Sequence, residues 1–124
     1  MKDLQHTEDV KLLVDTFYQQ ALNDEVIGHF FNEVIQLDLN AHMPVMYQFW
    51  ESILFGSHEY KGNPMVKHIA LHEKSRMESR HFERWLMLWT NTVNKLFAGP
   101  KADEAVQRAN HIAALMQHKV SQSF

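Results

Sequence analysis

The strongest helical pattern in the chain is Phe82-Glu83-Arg84-Trp85-Leu86-Met87-Leu88-Trp89-Thr90-Asn91-Thr92-Val93-Asn94-Lys95-Leu96-Phe97. Its apolar side chains recur three and four residues apart, at Phe82, Trp85, Leu86, Trp89, Val93 and Leu96, with Phe97 beside the last of them. This spacing places them along one face of an α-helix. Gly99-Pro100 is expected to end the helix, because glycine suits a left-handed ending and proline cannot continue a helix.

Two segments before this helix also show helical spacing. Thr7 can cap a helix that begins with Glu8 and Asp9 and runs to about Leu22. Its apolar face comprises Val10, Leu13, Val14, Phe17, Tyr18 and Ala21. A second helix is expected to follow Asp38 or Asn40 and to end at Gly56, with an inner face of His42, Met46, Phe49, Trp50 and Ile53. Pro44 is expected in its first turn, where proline is tolerated.

A last helix is predicted from about Ala102, with its inner face at Ala105, Ala109, Ile112, Met116 and Val120. The chain shows no strand alternation and no internal repeat. We therefore predict an all-α fold, with residues 1–124 forming a single domain.

The bulk composition excludes several classes of protein. The net charge of −3 and a pI near 6.3 give no basic surface for nucleic acid. The chain has no cysteine, so any metal must bind nitrogen or oxygen ligands. The first residues lack the apolar core of a signal peptide, and no apolar run could span a membrane. A cytoplasmic protein is the expectation.

The nine histidines raise the question of a metal site, which we place between two helical patterns in Asn63-Pro64-Met65-Val66-Lys67-His68-Ile69-Ala70-Leu71-His72. His68 and His72 are four residues apart and could chelate Zn²⁺ together, but this would need further ligands, for which His58 and Glu59 are candidates. A haem requires less: one histidine for the iron, an apolar slot, and polar groups on the opposite side. Eight phenylalanines, seven methionines and three tryptophans suit such a slot and suit a plain core equally. Four basic residues could pair with haem propionates or could simply be solvated: Lys67, Arg76, Arg80 and Arg84.

From about Thr7 to Val120 the chain resembles the third group of truncated haemoglobins. The marks are Phe17-Tyr18, Phe31 after Gly28-His29-Phe30, His42 ahead of Phe49-Trp50, Gly62-Asn63-Pro64-Met65-Val66-Lys67-His68, and Phe82-Glu83-Arg84-Trp85-Leu86. None of the four glycines are adjacent, and the third group likewise lacks the paired glycines of the other two. The resemblance implies a shortened globin, with two helices crossed over two others around one haem b.

The resemblance also implies roles for individual residues. His68 corresponds to the proximal iron ligand, with His72 in reserve. Tyr18 corresponds to the distal hydrogen-bond donor, Trp85 to a second donor and His42 to a distal gate, which Pro44 leaves free to swing in or out. The residues expected to contact haem are Phe31, Met46, Phe49, Trp50, Lys67 and Trp85, and Met46 also lies on the distal side. Phe31 and Trp85 would be core residues in any helical protein, so the two interpretations weigh about equally there.

Three functions remain open from the sequence. The first is binding of O₂ and other diatomic ligands, with hydrogen bonds from Tyr18 and Trp85 slowing ligand release. Such a site suits tight binding or reaction better than bulk transport. The second is an enzyme that oxidises nitric oxide or reduces peroxide with an external electron donor, since no reductase or flavin motif is present. The third is a haem-free helical adaptor.

Overall fold

The computed structural model describes residues 1–31, 38–56 and 77–122, which contain four α-helices. These are α1 (Thr7–Leu22), α2 (Leu39–Phe55), α3 (Ser79–Leu96) and α4 (Pro100–Gln122). Helix α1 packs against α2 and α3, and α4 packs against α3 and also contacts α2. These described parts hold no strand, so the predicted all-α class is confirmed. None of their helices is long and apolar enough to cross a membrane.

The core lies where α1, α3 and α4 meet. The predicted apolar face of α1 is confirmed, because Val10, Leu13, Val14, Phe17 and Ala21 are all buried. Trp89 of α3 is 1% exposed, and its indole N–H donates to the carbonyl oxygen of Ala105 in α4 at 3.1 Å. The small side chains of Ala102, Ala105, Ala109 and Ala113 allow α4 to approach α3 closely. A helix pair of this kind is stabilised chiefly by the apolar surface it removes from water.

The ends of α2 are partly as predicted. Asp38 is its N-cap and accepts a hydrogen bond from the Asn40 N–H at 3.1 Å, and Gly56 ends it with φ +74°. The expectation that Pro44 lies in the first turn is wrong, since α2 begins at Leu39 and Pro44 falls in its second turn. Pro44 is exposed, so the carbonyl that loses its helical N–H partner is on the side where water can replace it.

Helix α4 begins two residues earlier than predicted, and the reason lies at the other end of the chain. The carboxylate of Asp3 accepts hydrogen bonds from the N–H groups of Lys101 at 2.9 Å and Ala102 at 2.8 Å. Pro100 has no N–H to satisfy and is therefore well suited to the first helical position. Gly99 has φ +141°, and a β-carbon there would lie 2.6 Å from the Asp3 side chain. Burial opposes ionisation of Asp3, but these hydrogen bonds lower its pKa overall.

The start of α1 also differs from the prediction. The N-cap is His6, and Thr7 is the first helical residue. Asp9, expected only to complement the helix dipole, is 5% exposed and accepts a hydrogen bond from the His6 N–H at 3.0 Å. Its carboxylate also pairs with the Lys2 ammonium at 2.9 Å. The N-terminal arm is therefore tied to both α1 and α4.

Candidate functional site

Tyr18 of α1 and His42 of α2 meet at the edge of the core. The Tyr18 hydroxyl oxygen lies 2.8 Å from His42 Nε2, within hydrogen-bonding distance. Their rings are edge to face with centroids 5.2 Å apart. The sequence allowed His42 to swing in or out, and the structure places it inward, against Tyr18.

Aromatic rings enclose the Tyr18 side chain. Phe17 and Phe31 each present an edge-to-face contact to it, with centroid distances of 5.2 Å and 5.7 Å. Burial among these rings raises the pKa of the Tyr18 phenol well above its usual range. The hydroxyl therefore keeps its proton at neutral pH and can act as a hydrogen-bond donor.

Trp85 of α3 approaches the same place from the other side of Phe17. The two rings are edge to face with centroids 6.1 Å apart. Trp85 is half-buried, and its indole N–H has no acceptor within the part of the chain that the structure describes. Phe17 thus separates a phenol donor from an indole donor. The sequence pattern indicated Phe17 only as a core residue and a family mark.

The inner side of α2 is apolar but incompletely buried. Apart from His42, the helix carries one charged side chain, Glu51, and only Trp50 and Leu54 are buried. Its half-buried apolar side chains pack against the core and comprise Met43, Met46, Tyr47, Phe49 and Ile53. An apolar surface of this kind, next to the Tyr18 and His42 pair, fits a flat apolar macrocycle with polar groups over one face.

The predicted haem contacts on α2 differ in their surroundings. Met46 and Phe49 are half-buried, as a ligand-lining residue would be. Trp50 is 4% exposed and stacks on Trp89 with centroids 4.3 Å apart. Trp50 is therefore a core residue of the described structure, and a direct haem contact from it stays a prediction.

Arg84 has a partner that the sequence did not indicate. Its guanidinium contacts the Asp24 carboxylate at 2.6 Å and 2.8 Å, and the Asp24 side chain is 3% exposed. Burial opposes ionisation of Asp24, yet the hydrogen bonds from Arg84 and from the Val26 and Ile27 N–H groups lower its pKa. Arg84 is thus neither the free propionate partner nor the solvated residue that was expected. Arg80 is exposed and lies 3.6 Å from Glu78, as on a solvated face.

A second tyrosine pair was missed by sequence reasoning. The Tyr47 hydroxyl of α2 donates a short hydrogen bond to the Asp15 carboxylate of α1, and the Lys11 ammonium lies 5.8 Å from the centre of the Tyr47 ring. Burial and the Asp15 carboxylate raise the pKa of Tyr47 to about 12. The only sequence signal was a hydroxyl on an otherwise apolar helix, which indicates that a partner exists but not which one.

The predicted iron ligand His68, its reserve His72, and Lys67 lie in residues 57–76, outside the described residues. The same holds for the alternative zinc ligands His58 and Glu59 and for Arg76. Among the residues that are described, no three histidine or acidic side chains converge as a metal site.

Comparison with known proteins identifies the family. The model of the bacterial-like globin family matches residues 3–120. The group 3 truncated hemoglobin ctb of Campylobacter jejuni is 28% identical over 114 residues, which is 90% of this chain and 87% of that protein. A crystal structure of group III truncated hemoglobin from Campylobacter jejuni matches with a TM-score of 0.83 and 27% identity, covering 95% of this chain and 94% of that chain. The resemblance to the third group of truncated haemoglobins and the globin fold are confirmed, and the chain belongs to the bacterial-like globin family as a haem-binding globin.

Proposed function

We propose that the chain binds haem b through His68 and takes O₂ or another small diatomic ligand beside Tyr18, His42 and Trp85. The observation that carries the proposal is the 2.8 Å contact between the Tyr18 hydroxyl and His42, set against the half-buried apolar side of α2. Polar groups at an apolar surface are costly unless they have a hydrogen-bonding task. When bound, haem supplies an iron with one coordination position open to a diatomic ligand.

The apolar contacts to the macrocycle are assigned to half-buried side chains. Phe31, Met46, Phe49 and Trp85 each pack against the core with part of their surface still accessible. Trp50 would support this layer from behind through its stack on Trp89. Lys67 is proposed as a propionate partner on the strength of the family resemblance.

His68 is proposed as the iron ligand for the same reason, since it matches the family's proximal position. The test is the Soret band of the purified protein, compared with His68→Gly and His72→Gly. We expect His68→Gly to abolish or shift the band and added imidazole to restore it. A band that is lost only in His72→Gly would assign the ligand to His72.

His42 controls how the Tyr18 hydroxyl is used. With its proton on Nε2, His42 donates to the Tyr18 oxygen, and the phenol hydrogen is then directed to the bound ligand. With its proton on Nδ1, Nε2 accepts the phenol hydrogen instead. The first tautomer is the productive one, because each donor polarises the next and strengthens the bond to the ligand.

Trp85 adds a second donor from α3. Its indole N–H has no protein acceptor within the described parts of the chain, which leaves it available to a ligand. Two donors converging in a pocket of low dielectric constant stabilise a ligand that carries partial negative charge. Slow release of O₂ follows from this arrangement.

Stopped-flow measurement of O₂ release from the haem-loaded ferrous protein tests the proposal. We expect Tyr18→Phe to speed release by roughly 10- to 100-fold, since a hydrogen bond to a charged group contributes about 1.5–3 kcal/mol. His42→Leu should have a smaller effect, because it acts through Tyr18. Carbon monoxide carries less charge when bound and is the matched control, so its release should change less than that of O₂.

The proposal has a definite contrary outcome. If O₂ release is the same in Tyr18→Phe and in the unaltered protein, while the Soret band shows full haem loading, then Tyr18 does not contact the ligand. Equal effects on O₂ and carbon monoxide would instead indicate a steric role for the ring.

A further inference from the structure

All three tryptophans of the chain lie in one stack across the core. Trp50 of α2 and Trp89 of α3 are nearly parallel, at 20°, with centroids 4.3 Å apart. Trp89 and Trp85 are parallel within 9° and have centroids 6.3 Å apart. The stack therefore runs from α2 through the buried core to Trp85, next to Phe17 and the Tyr18 site.

The α2 end of the stack leads to a tyrosine with a built-in base. Tyr47 lies one helical turn before Trp50, so the two side chains share a side of α2. Tyr47 is half-buried, and its hydroxyl donates to the Asp15 carboxylate. The raised pKa of Tyr47 means that the phenol starts in its protonated form at neutral pH.

The hydrogen-bond partners of these rings suit them to different tasks. Indole and phenol rings are among the side chains most readily oxidised by one electron. The Trp89 N–H is bonded to a backbone carbonyl, which is not a base, so Trp89 can lose and regain an electron without losing its proton. Tyr47 can lose an electron and pass its proton to Asp15 at once, because an oxidised phenol is a very strong acid.

We propose that Trp85, Trp89, Trp50 and Tyr47 form an electron relay from the surface beside Asp15 to the haem site. The relay rests on the proposed position of haem beside Trp85. It would serve the two-electron reduction of a hydroperoxide, in which the O–O bond breaks and an alcohol and water form with uptake of two protons.

Each electron follows the same balanced sequence. Tyr47 gives up one electron through the stack and its proton moves to Asp15, which leaves a neutral tyrosyl radical. A reductant of the ascorbate or phenol class then gives a hydrogen atom to the radical, and Asp15 releases its proton. Two such turns oxidise two reductant molecules by one electron each and supply the two electrons and two protons that the hydroperoxide takes up.

Freeze-quench electron paramagnetic resonance of the haem-loaded ferric protein after mixing with hydrogen peroxide tests the relay. We expect a tyrosyl signal that is lost in Tyr47→Phe and strongly reduced in Asp15→Asn, which retains an acceptor for the hydroxyl but no base. Trp89→Phe should lower the yield of the signal several-fold. Tyr60→Phe is the matched control for removal of a phenol and should retain the signal.

A signal of full size in Tyr47→Phe, or one that disappears only in Tyr18→Phe, would overturn the relay. Circular dichroism and the Soret band of each sample verify folding and haem loading. If Trp89→Phe does not fold, Asp15→Asn still decides the question, because that change is confined to the Tyr47 pair. The ligand-binding proposal is judged separately by O₂ release in Tyr18→Phe, which the loss of the relay leaves unchanged.

Discussion

Helices α2 and α3 are of similar length but have different relations to the core. Helix α3 has polar side chains on one face and apolar ones on the other, and it buries six residues, including Phe82, Trp89 and Val93. Helix α2 has only one acidic residue and no lysine or arginine, yet it buries only Trp50 and Leu54. An apolar helix that remains half-buried indicates a non-protein partner, because leaving that surface in water costs about 25 cal/mol per Å².

The difference also separates two sources of stability. The apolar side of α3 is covered by protein, so its contribution is present with or without haem. The apolar side of α2 is only partly covered by the protein that the structure describes, so we expect part of its contribution to appear only when haem is bound. Substitutions in the two helices can be compared in the haem-free and haem-loaded protein.

The largest effect is expected at Trp89. Truncation to alanine removes its stacks on Trp50 and Trp85 and its hydrogen bond to Ala105. Trp89→Ala should lower the free energy of unfolding by about 3–5 kcal/mol in urea, by a similar amount with and without haem. A loss that depends strongly on haem would remove the distinction between the two helices.

An intermediate effect is expected at Phe49 on α2. Because Phe49 is half-buried, Phe49→Ala should cost roughly 1–2 kcal/mol in the haem-free protein, less than the full burial of an aromatic ring contributes. In the haem-loaded protein it should also speed haem loss to an acceptor apoprotein, roughly tenfold per 1.4 kcal/mol. Phe55→Ala, on the same helix at 38% exposure, is the control and should retain haem. Equal haem loss from both variants would contradict the proposed position of the macrocycle.

The smallest effect concerns acid stability at the start of α3. His81 is 3% exposed, its Nδ1 accepts the Glu78 N–H at 2.8 Å, and its Nε2 has no partner among the described residues. Burial and the nearby Arg80 charge lower the His81 pKa, with His29 acting in the same direction and Glu78 opposing it.

The sign of the pH dependence follows from that shift. The unfolded chain binds a proton at His81 near pH 6.5 while the folded chain resists it, so stability is present above pH 6.5 and is lost as the pH falls. One proton limits the slope to about 1.4 kcal/mol per pH unit. Urea unfolding between pH 7.5 and 5 should show a shallower slope in His81→Gln, and His111→Gln, at an exposed histidine of α4, should leave the slope unchanged. An unaltered slope in His81→Gln would refute the assignment.

The sequence predicted features that depend on neighbouring residues. Three-and-four spacing identified the buried faces of α1 and α3, and Asp38 and Gly56 were recognised as ends of α2. The predictions for Pro44 and for the start of α4 were wrong. In the second case the cap is Asp3, which is 99 residues from its partner Ala102.

By itself, the sequence determined the all-α class, the stripes that form the core and the resemblance to truncated haemoglobins, because periodicity and local motifs are written in consecutive residues. Only the tertiary structure decided that Tyr18 meets His42, that Arg84 is held by Asp24 and that the three tryptophans stack. Tyr18 and His42 are 24 residues apart, and Asp24 and Arg84 are 60. Local spacing carries no information on such pairs, because the crossing of the helices sets their distances.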